Sequence, residues 1–333
     1  MKWWMKILLT LLGTLIIVYM LGPHPATPTY DTHLPSVPSS ASGIDNYVDN
    51  IEAQHKLKPN NEARIVWKDS LRQPTDYAIV YLHGFSACQE EGNPAHRTIA
   101  KEFGCNLYLS RLAEHGIDTV EQLINLTADN YWQSGKEALA IGKQLGKKVI
   151  LMSTSTGGTL ALKLAAMFPN DVAGLILYSP NIAINDSKAW LLNNPWGLQI
   201  ARKVKKSNYI VPADTSAEYL KYWNSPYRLE AAVALEELLE TTMTDATFKA
   251  VKQPTLALYY YKDEEHQDPV VKVSAIKDMI ATLGTPANLK RAVAMPNTEN
   301  HVLGSPIKSK DVLGVILETE KFMKEILKLQ PVQ

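Results

Sequence analysis

VILMSTSTGG (residues 149–158) is an apolar run that ends abruptly in small residues, and the largely apolar stretch 159–167 after it predicts a helix. A buried strand that turns this sharply into a helix holds its central residue in a strained conformation and lifts that side chain clear of the backbone. The central residue here is Ser155. The pattern is typical of a turn that presents a nucleophilic serine, although Ser153 stands where a glycine is usual.

Apolar strands alternate with helices on both sides of this turn. Strands are predicted at 63–68, 77–82, 105–109, 148–152, 172–178, 254–261 and 290–295, and helices at 45–57, 93–103, 127–145, 273–283 and 311–329. Strands that are apolar throughout and are separated by helices indicate a mostly parallel, doubly wound sheet. We therefore expect an α/β fold in which residues 44–333 form one domain.

The alternation stops between about residues 181 and 252, where no strand is evident. We interpret this segment as a helical cap inserted after the predicted strand 172–178. It contains Trp190, Trp196 and Trp223. Aromatic side chains suit the walls of a small-molecule pocket, but they also dominate cores. Both interpretations of the tryptophans remain open at this point.

The N-terminal segment 1–22 differs from the rest of the chain. Lys2 and Lys6 precede an uncharged apolar run that approaches the about 20 residues needed to span a bilayer. A secretory signal peptide begins in the same way but ends in a small-residue cleavage site, which this segment lacks. We favour an uncleaved membrane anchor over a signal peptide. In either case the lysines stay inside and the rest of the chain is exported to the periplasmic or extracellular side, or secreted after cleavage.

Residues 23–43 are rich in Pro, Ser and Thr and are expected to form an extended linker. Beyond this linker, Cys88 and Cys105 could pair in an oxidising compartment. They could equally remain two separate buried thiols. The sequence does not decide between these alternatives, and it gives no oligomeric state.

Charge and composition exclude several classes of partner. The chain has 34 Lys and Arg residues against 34 Asp and Glu residues, so it lacks the basic footprint of a nucleic-acid-binding protein. No Cys/His cluster suggests a metal site. We expect neither a metal nor a nucleic acid as a partner.

A serine hydroxyl needs a base within hydrogen-bond reach and a carboxylate that orients the base. After a turn of this type, the acid and then the histidine follow later in the chain. His301 follows the last predicted strand and is the expected base. Asp263 and Asp268 both follow the strand 254–261. We prefer Asp268, which begins the segment Asp-Pro-Val-Val, and keep Asp263 as the alternative.

The oxyanion of an acyl-transfer intermediate needs preorganised N–H donors, and loss of one donor typically costs about 10²–10³ in turnover. The amide of Thr156, directly after the serine, is one expected donor. The other is the amide of Phe85, in the loop after the strand 77–82, where Gly84 lets the chain turn.

The chain from about residue 65 onward resembles α/β-hydrolases of the carboxylesterase and monoacylglycerol-lipase type. The matching segments are LHGFS (82–86), RLAEHG (111–116), STSTGG (153–158), LILYSP (175–180), DPVV (268–271) and NH (300–301). The resemblance implies an α/β-hydrolase fold and a serine ester hydrolase with a helical lid and no cofactor. Its triad would be Ser155, Asp268 and His301, and its substrate a small-molecule acyl ester. An acyltransferase, a peptidase or a non-catalytic binding protein on the same scaffold remains an alternative.

Overall fold

The structure is a computed structural model that describes residues 2–332. Its strands are β1 (Arg64–Val66), β2 (Thr75–Leu82), β3 (Asn106–Leu109), β4 (Gly146–Thr154), β5 (Val172–Tyr178), β6 (Tyr209–Ile210), β7 (Tyr227–Arg228), β8 (Thr255–Tyr259) and β9 (Lys290–Ala294). Its α-helices are α1 (Trp3–Met20), α2 (Ala41–Glu52), α3 (Ala95–Glu102), α4 (Ala128–Leu145), α5 (Thr156–Met167), α6 (Gly197–Lys205), α7 (Ala217–Tyr222), α8 (Leu229–Thr242), α9 (Asp245–Ala250), α10 (Val273–Thr282) and α11 (Val312–Glu325).

Seven of the strands form one sheet in the order β1-β3-β2-β4-β5-β8-β9. Only the edge pair β1–β3 is antiparallel, and all other neighbouring strands run parallel. The prediction of a mostly parallel, doubly wound sheet is confirmed. Strand β4 lies at the centre of the sheet, so the turn that carries Ser155 opens at the middle of its carboxyl edge, where ligands bind in folds of this kind.

Helices cover both faces of the sheet, which explains why its strands are apolar throughout. On β2, Ala78 and Val80 belong to the core beneath α4 and α5. The alternate residues Ile79 and Tyr81 belong to a second core with residues of α3 and α11. Between residues 78 and 82 this two-residue alternation leaves no face of β2 for polar side chains.

The helix after the serine begins three residues earlier than predicted. Helix α5 starts at Thr156, because the small residues that predict a turn also form the first turn of the helix. Two other elements, a strand and the last helix, end earlier than predicted. Strand β8 ends at Tyr259 rather than at residue 261, and α11 ends at Glu325 rather than at residue 329.

The segment 181–252 is mainly helical but also contains a small hairpin. Tyr209 pairs with Arg228 and Ile210 with Tyr227, which forms the two-residue strands β6 and β7. Strands this short have no detectable periodicity, so the sequence did not predict them. Helix α9 packs against α5, and α8 packs against α4. The second half of the segment therefore lies on the core.

The N-terminal helix α1 is long and apolar enough to cross a bilayer, and none of its residues is buried within the chain. Residues 23–39 form neither helix nor strand. They are nevertheless fixed to α4. The indole N–H of Trp132 donates to the carbonyl oxygen of Asp31 at 2.8 Å, the carboxylate of Asp31 pairs with Lys136, and Asp129 accepts the Thr29 N–H at 2.9 Å.

The two cysteines are not bonded to each other. Cys88 and Cys105 are both free and buried. Of the two alternatives that the sequence left open, the structure has separate thiols.

Candidate active site

Ser155 occupies the turn between β4 and α5 in a strained backbone conformation, with φ 52° and ψ −120°. A non-glycine residue in such a conformation costs about 1–3 kcal/mol, which the surrounding structure must offset. Two hydrogen bonds hold the turn. The Ser155 N–H donates to the Tyr178 carbonyl at 2.9 Å, and the Asn181 N–H donates to the Ser155 carbonyl at 2.9 Å.

The glycines after the serine allow α5 to approach the end of β2. A Cβ added at Gly157 would lie 2.0 Å from the carbonyl oxygen of Leu82, and one at Gly158 would lie 2.8 Å from Pro180 Cβ. Ser153 shows no comparable crowding. Its side chain is fully buried, and its hydroxyl lies 3.5 Å from the Ile176 carbonyl. The turn therefore accommodates a serine where a glycine is usual.

His301 and Asp268 form a buried pair. The Nδ1 atom of His301 lies 2.7 Å from Oδ2 of Asp268, and Oδ1 of Asp268 accepts the N–H groups of Val270 and Val271 at 2.8 and 3.0 Å. With a carboxylate at Nδ1, the proton resides on that nitrogen and Nε2 is left to accept one. Asp263 is exposed and pairs with His266 at 2.8 Å. The structure thus brings Asp268, and not Asp263, to His301.

The loop after β2 offers one uncommitted amide. The Gly84 N–H donates to the Glu91 carboxylate, and the Ser86 N–H donates to Nε2 of His115 at 2.9 Å. Between them, the Phe85 N–H has no acceptor within residues 2–332. Thr156 is the first residue of α5, where an N–H has no partner inside the helix. Both expected oxyanion donors are therefore available.

A cavity of about 650 Å³ joins these groups. Ser155, Thr156, Phe85 and His301 all line it, and most of the remaining wall is apolar. Within residues 2–332, the Ser155 hydroxyl donates no hydrogen bond. Hydrogen bonds between a nucleophile and its base are often long in free enzymes and tighten when substrate binds. The same part of the chain contains no group of His, Cys, Asp and Glu side chains that could hold a metal ion.

Comparisons with known proteins agree with this fold. The family model described as serine aminopeptidase, S33, matches residues 136–290. Similar solved structures include one of the two metagenome-derived lipolytic enzymes LipS and LipT, with a TM-score of 0.65 at 17% identity over 81% of this chain and 100% of that one. Est1E from Butyrivibrio proteoclasticus, with ferulic acid bound, has a TM-score of 0.56 at 14% identity over 80% and 95% of the two chains.

The monoacylglycerol lipase of Paleococcus ferrophilus is a third similar structure, with a TM-score of 0.53 at 12% identity over 77% of this chain and 98% of that one. The chain has the α/β-hydrolase fold. Comparison with curated proteins finds no match. At these identities the solved structures show the fold alone, and the chemistry of this chain must be argued from its own residues.

The buried pair Asp268 and His301 has opposed pKa shifts. Burial alone would raise the pKa of Asp268, but the attraction and hydrogen bond of His301, with two backbone N–H donors, lower it overall. Burial alone would lower the pKa of His301, but the carboxylates of Asp268 and Glu91 raise it overall. The pair therefore favours an ionised aspartate and stabilises a proton on the histidine.

Glu91 is the site residue that sequence reasoning missed. It is buried in the short 3₁₀ helix Gln89–Gly92 and lines the cavity. A Cβ placed on Gly84 would lie 3.0 Å from Ser155 Cβ and 3.1 Å from Glu91 Oε1, so both side chains face the same point. Burial raises the pKa of Glu91 to about 7, although the Gly84 N–H, His301 and Tyr81 oppose the shift. No motif signals this residue, because its importance comes from burial.

Two further histidines support the loop after β2 that contains Phe85. His83 accepts the Leu112 N–H at Nε2 (2.9 Å), and His115 accepts the Ser86 N–H in the same way. Burial lowers the pKa of His115 to about 4 and that of His83 well below its ordinary value. Both rings are therefore neutral at pH 7. The segment RLAEHG (111–116) thus has a structural role: it places His115 where its ring accepts the Ser86 N–H of the loop after β2.

Proposed function

We propose that this protein is a serine ester hydrolase whose triad is Ser155, His301 and Asp268. One observation carries the proposal: His301, held by the buried Asp268, lines the same cavity as the strained Ser155 turn. Phe85 and Thr156 would bind the oxyanion through their N–H groups. The likeness of the fold to solved lipases supports this chemistry but does not name the substrate.

In the first half-reaction, the Ser155 hydroxyl oxygen attacks the ester carbonyl carbon while Nε2 of His301 takes the hydroxyl proton. The negative charge that develops on the former carbonyl oxygen is stabilised by the amides of Phe85 and Thr156. When the tetrahedral intermediate collapses, the C–O bond to the alcohol breaks and His301 returns its proton to the leaving oxygen. In the second half-reaction, His301 takes a proton from water as the water oxygen attacks the acyl carbon. When this second tetrahedral intermediate collapses, the bond from the acyl carbon to the Ser155 oxygen breaks, His301 returns its proton to that oxygen, and the carboxylic acid leaves.

The shape and lining of the cavity suit an acyl ester. Its volume of about 650 Å³ lies within the range of ordinary small-molecule pockets. Apolar side chains from the inserted segment form much of the wall, among them Leu191, Leu192, Ile210 and Leu235. Trp223 also lines the cavity, in a stacked pair with Tyr219 whose ring centroids are 4.9 Å apart. Trp190 and Trp196 are exposed and do not line it.

Labelling with a fluorophosphonate tests the nucleophile directly. The reagent should label the wild type, and Ser155→Ala should abolish the label. Ser153→Ala is the matched control, since Ser153 is two residues away in the same turn but faces the core. We expect this control to be labelled as the wild type is. Labelling of Ser155→Ala, or its loss in Ser153→Ala alone, would refute the assignment.

The family model favours a second candidate, an aminopeptidase. The same triad would cleave an amide, and the Glu91 carboxylate would attract the ammonium group of a peptide N-terminus. A panel of nitrophenyl esters, monoacylglycerols and aminoacyl amides separates the two functions. Turnover of esters with inert amides is the expected result. Fast turnover of amides with inert esters would replace the first proposal by the second.

We further propose that α1 anchors the protein in a membrane, with the hydrolase domain on the exported side. The apolar helix and the two lysines at its start support this topology. Full-length protein should resist carbonate extraction, and protease added outside spheroplasts should digest the domain. Recovery of the intact chain as soluble cytoplasmic protein would contradict the anchor.

A further inference from the structure

The end of α1 contacts the start of α6 at Trp196. The indole N–H of Trp196 donates to the carbonyl oxygen of Val18 at 2.9 Å, and the Trp196 N–H donates to the Pro23 carbonyl at 3.0 Å. A Cβ on Gly22 would lie 2.3 Å from the indole ring, so the two segments are in close contact. Tryptophan is the side chain that favours the boundary between membrane and water.

Helix α6 begins directly after Trp196 and is nine residues long. At 1.5 Å per residue its whole length lies within about 14 Å of the end of α1. Its apolar side chains Ile200 and Val204 are four residues apart, hence on one face, and are 50% and 75% exposed. The two side chains therefore form a small exposed apolar patch next to the end of α1.

Basic residues flank the exposed apolar face. Lys203, Lys205 and Lys206 are exposed, and none of them forms an ion pair within residues 2–332. Only Arg202 on this helix is paired, with Glu230. A short helix with apolar residues on one side and unpaired lysines beside them is the pattern of a helix that lies in the headgroup region of an anionic bilayer.

The same helix forms a wall of the cavity that contains Ser155. Ile200, Ala201, Val204 and Lys205 all line it. Because Ile200 and Val204 are half or more exposed while they line the cavity, they lie where it opens to the outside. The opening and the exposed apolar face are thus formed by the same side chains.

We propose that α6 lies in the surface of the bilayer that α1 spans, with Ile200 and Val204 among the acyl chains and Lys203, Lys205 and Lys206 at anionic phospholipid headgroups. The cavity then opens toward lipid. Continuity with the end of α1 selects this partner over a soluble protein, and the unpaired lysines select anionic lipid. The contact itself does not depend on the proposed ester hydrolysis.

The test uses the full-length protein in vesicles of phosphatidylcholine and phosphatidylglycerol. Val204→Cys carries an environment-sensitive fluorophore, and Leu71→Cys carries it as the control. Leu71 is 72% exposed and precedes β2, at the edge of the sheet opposite the cavity. The native thiols are buried and should not compete for the label. Lipids with a doxyl group near the headgroup quench from the bilayer, and dithionite quenches from the water.

We expect doxyl lipid to quench the label at position 204 by about two-fold or more, and the label at position 71 not at all. Equal quenching by dithionite at both positions would overturn the proposal. Protection of position 204 from both quenchers would also overturn it, in favour of a second protein chain. Failure of the protein to stay in the vesicles would instead contradict the anchor, while fluorophosphonate labelling tests the enzyme separately.

Charge reversal tests the lipid partner. Lys203→Glu with Lys206→Glu, in the Val204→Cys background, should weaken insertion into vesicles with phosphatidylglycerol by about five-fold per lysine and leave insertion into pure phosphatidylcholine nearly unchanged. Without the label, this double variant should hydrolyse a short soluble ester as the wild type does, because neither lysine lines the cavity. An equal effect in both lipid mixtures would refute the role of anionic headgroups.

Discussion

The carboxyl group of Glu91 accepts the backbone N–H of Gly84, one residue before the amide that we assign to the oxyanion. Glu91 also faces His301 and raises its pKa. It is therefore a positioning residue in two respects. Its hydrogen bond with the Gly84 N–H holds the loop after β2 in place, and its charge favours the protonated form of His301.

This relationship predicts a change in the pH profile. Hydrolysis requires neutral His301, so kcat/KM falls as the pH drops through the raised pKa of that residue. Glu91→Gln keeps an acceptor for the Gly84 N–H but removes the negative charge that Glu91 carries above its pKa of about 7, so the start of the acid limb should move to lower pH. Glu90→Gln is the control, because Glu90 is the residue next to Glu91 but does not shift the pKa of His301. An acid limb that stays in place in Glu91→Gln would show that the charge is inert.

Exchange of the acid should separate Asp268 from Asp263. Asp268→Asn should lower kcat by about 10³–10⁴-fold, because an amide at this position can leave the imidazole in the wrong tautomer. Asp263→Asn should stay close to wild type, since Asp263 is exposed and contacts His266. Steady-state kinetics on one soluble ester suffices. The opposite ranking of the two variants would reassign the acid.

The close approach at Gly157 predicts a large loss of stability. In Gly157→Ala the new methyl group would meet the Leu82 carbonyl, a backbone atom that cannot move away, so we expect at least about 3 kcal/mol of destabilisation. Gly135→Ala is the matched control in the interior of α4, where the nearest atom is 3.4 Å away. In Gly135→Ala the higher helix propensity of alanine should instead stabilise the protein by up to about 1 kcal/mol. Urea unfolding measures both, and equal midpoints would contradict the crowding.

The thiols should be free but unreactive. Burial raises the pKa values of Cys88 and Cys105 above that of an ordinary thiol, so little thiolate forms. A maleimide should modify the folded protein slowly and should find two thiols per chain after unfolding without reductant. Recovery of thiols only after reduction would demonstrate the disulfide that the structure lacks.

The sequence predicted the sheet well because its strands are covered on both faces. Runs such as residues 77–82 and 172–178 are apolar throughout, and such runs can be recognised without knowing which strands lie beside them. It also selected His301 and the segment that contains Asp268, since the order of these residues along the chain is constrained. The catalytic roles stay predictions until the variants are measured.

Other features depend on contacts that a sequence does not reveal. Glu91 matters because the fold buries it beside Gly84, and a glutamate in a polar loop gives no sign of that. The β6–β7 hairpin has only two residues in each strand, too few for any periodicity. The docking of Trp196 on the end of α1 joins residues that are 178 positions apart.

The attachment of residues 23–39 to α4 limits how far the domain can move from the end of α1. A free linker of residues 23–43 could extend to about 70 Å and let the domain sweep a wide radius. Asp31 ends that freedom, because both its carbonyl and its carboxylate are held by α4. The structure therefore holds the domain close to the end of α1 instead of on a flexible tether. With α1 anchored in a bilayer as proposed, the active site would stay at a fixed distance from the membrane, and lateral diffusion of the whole protein would determine which substrate molecules it meets.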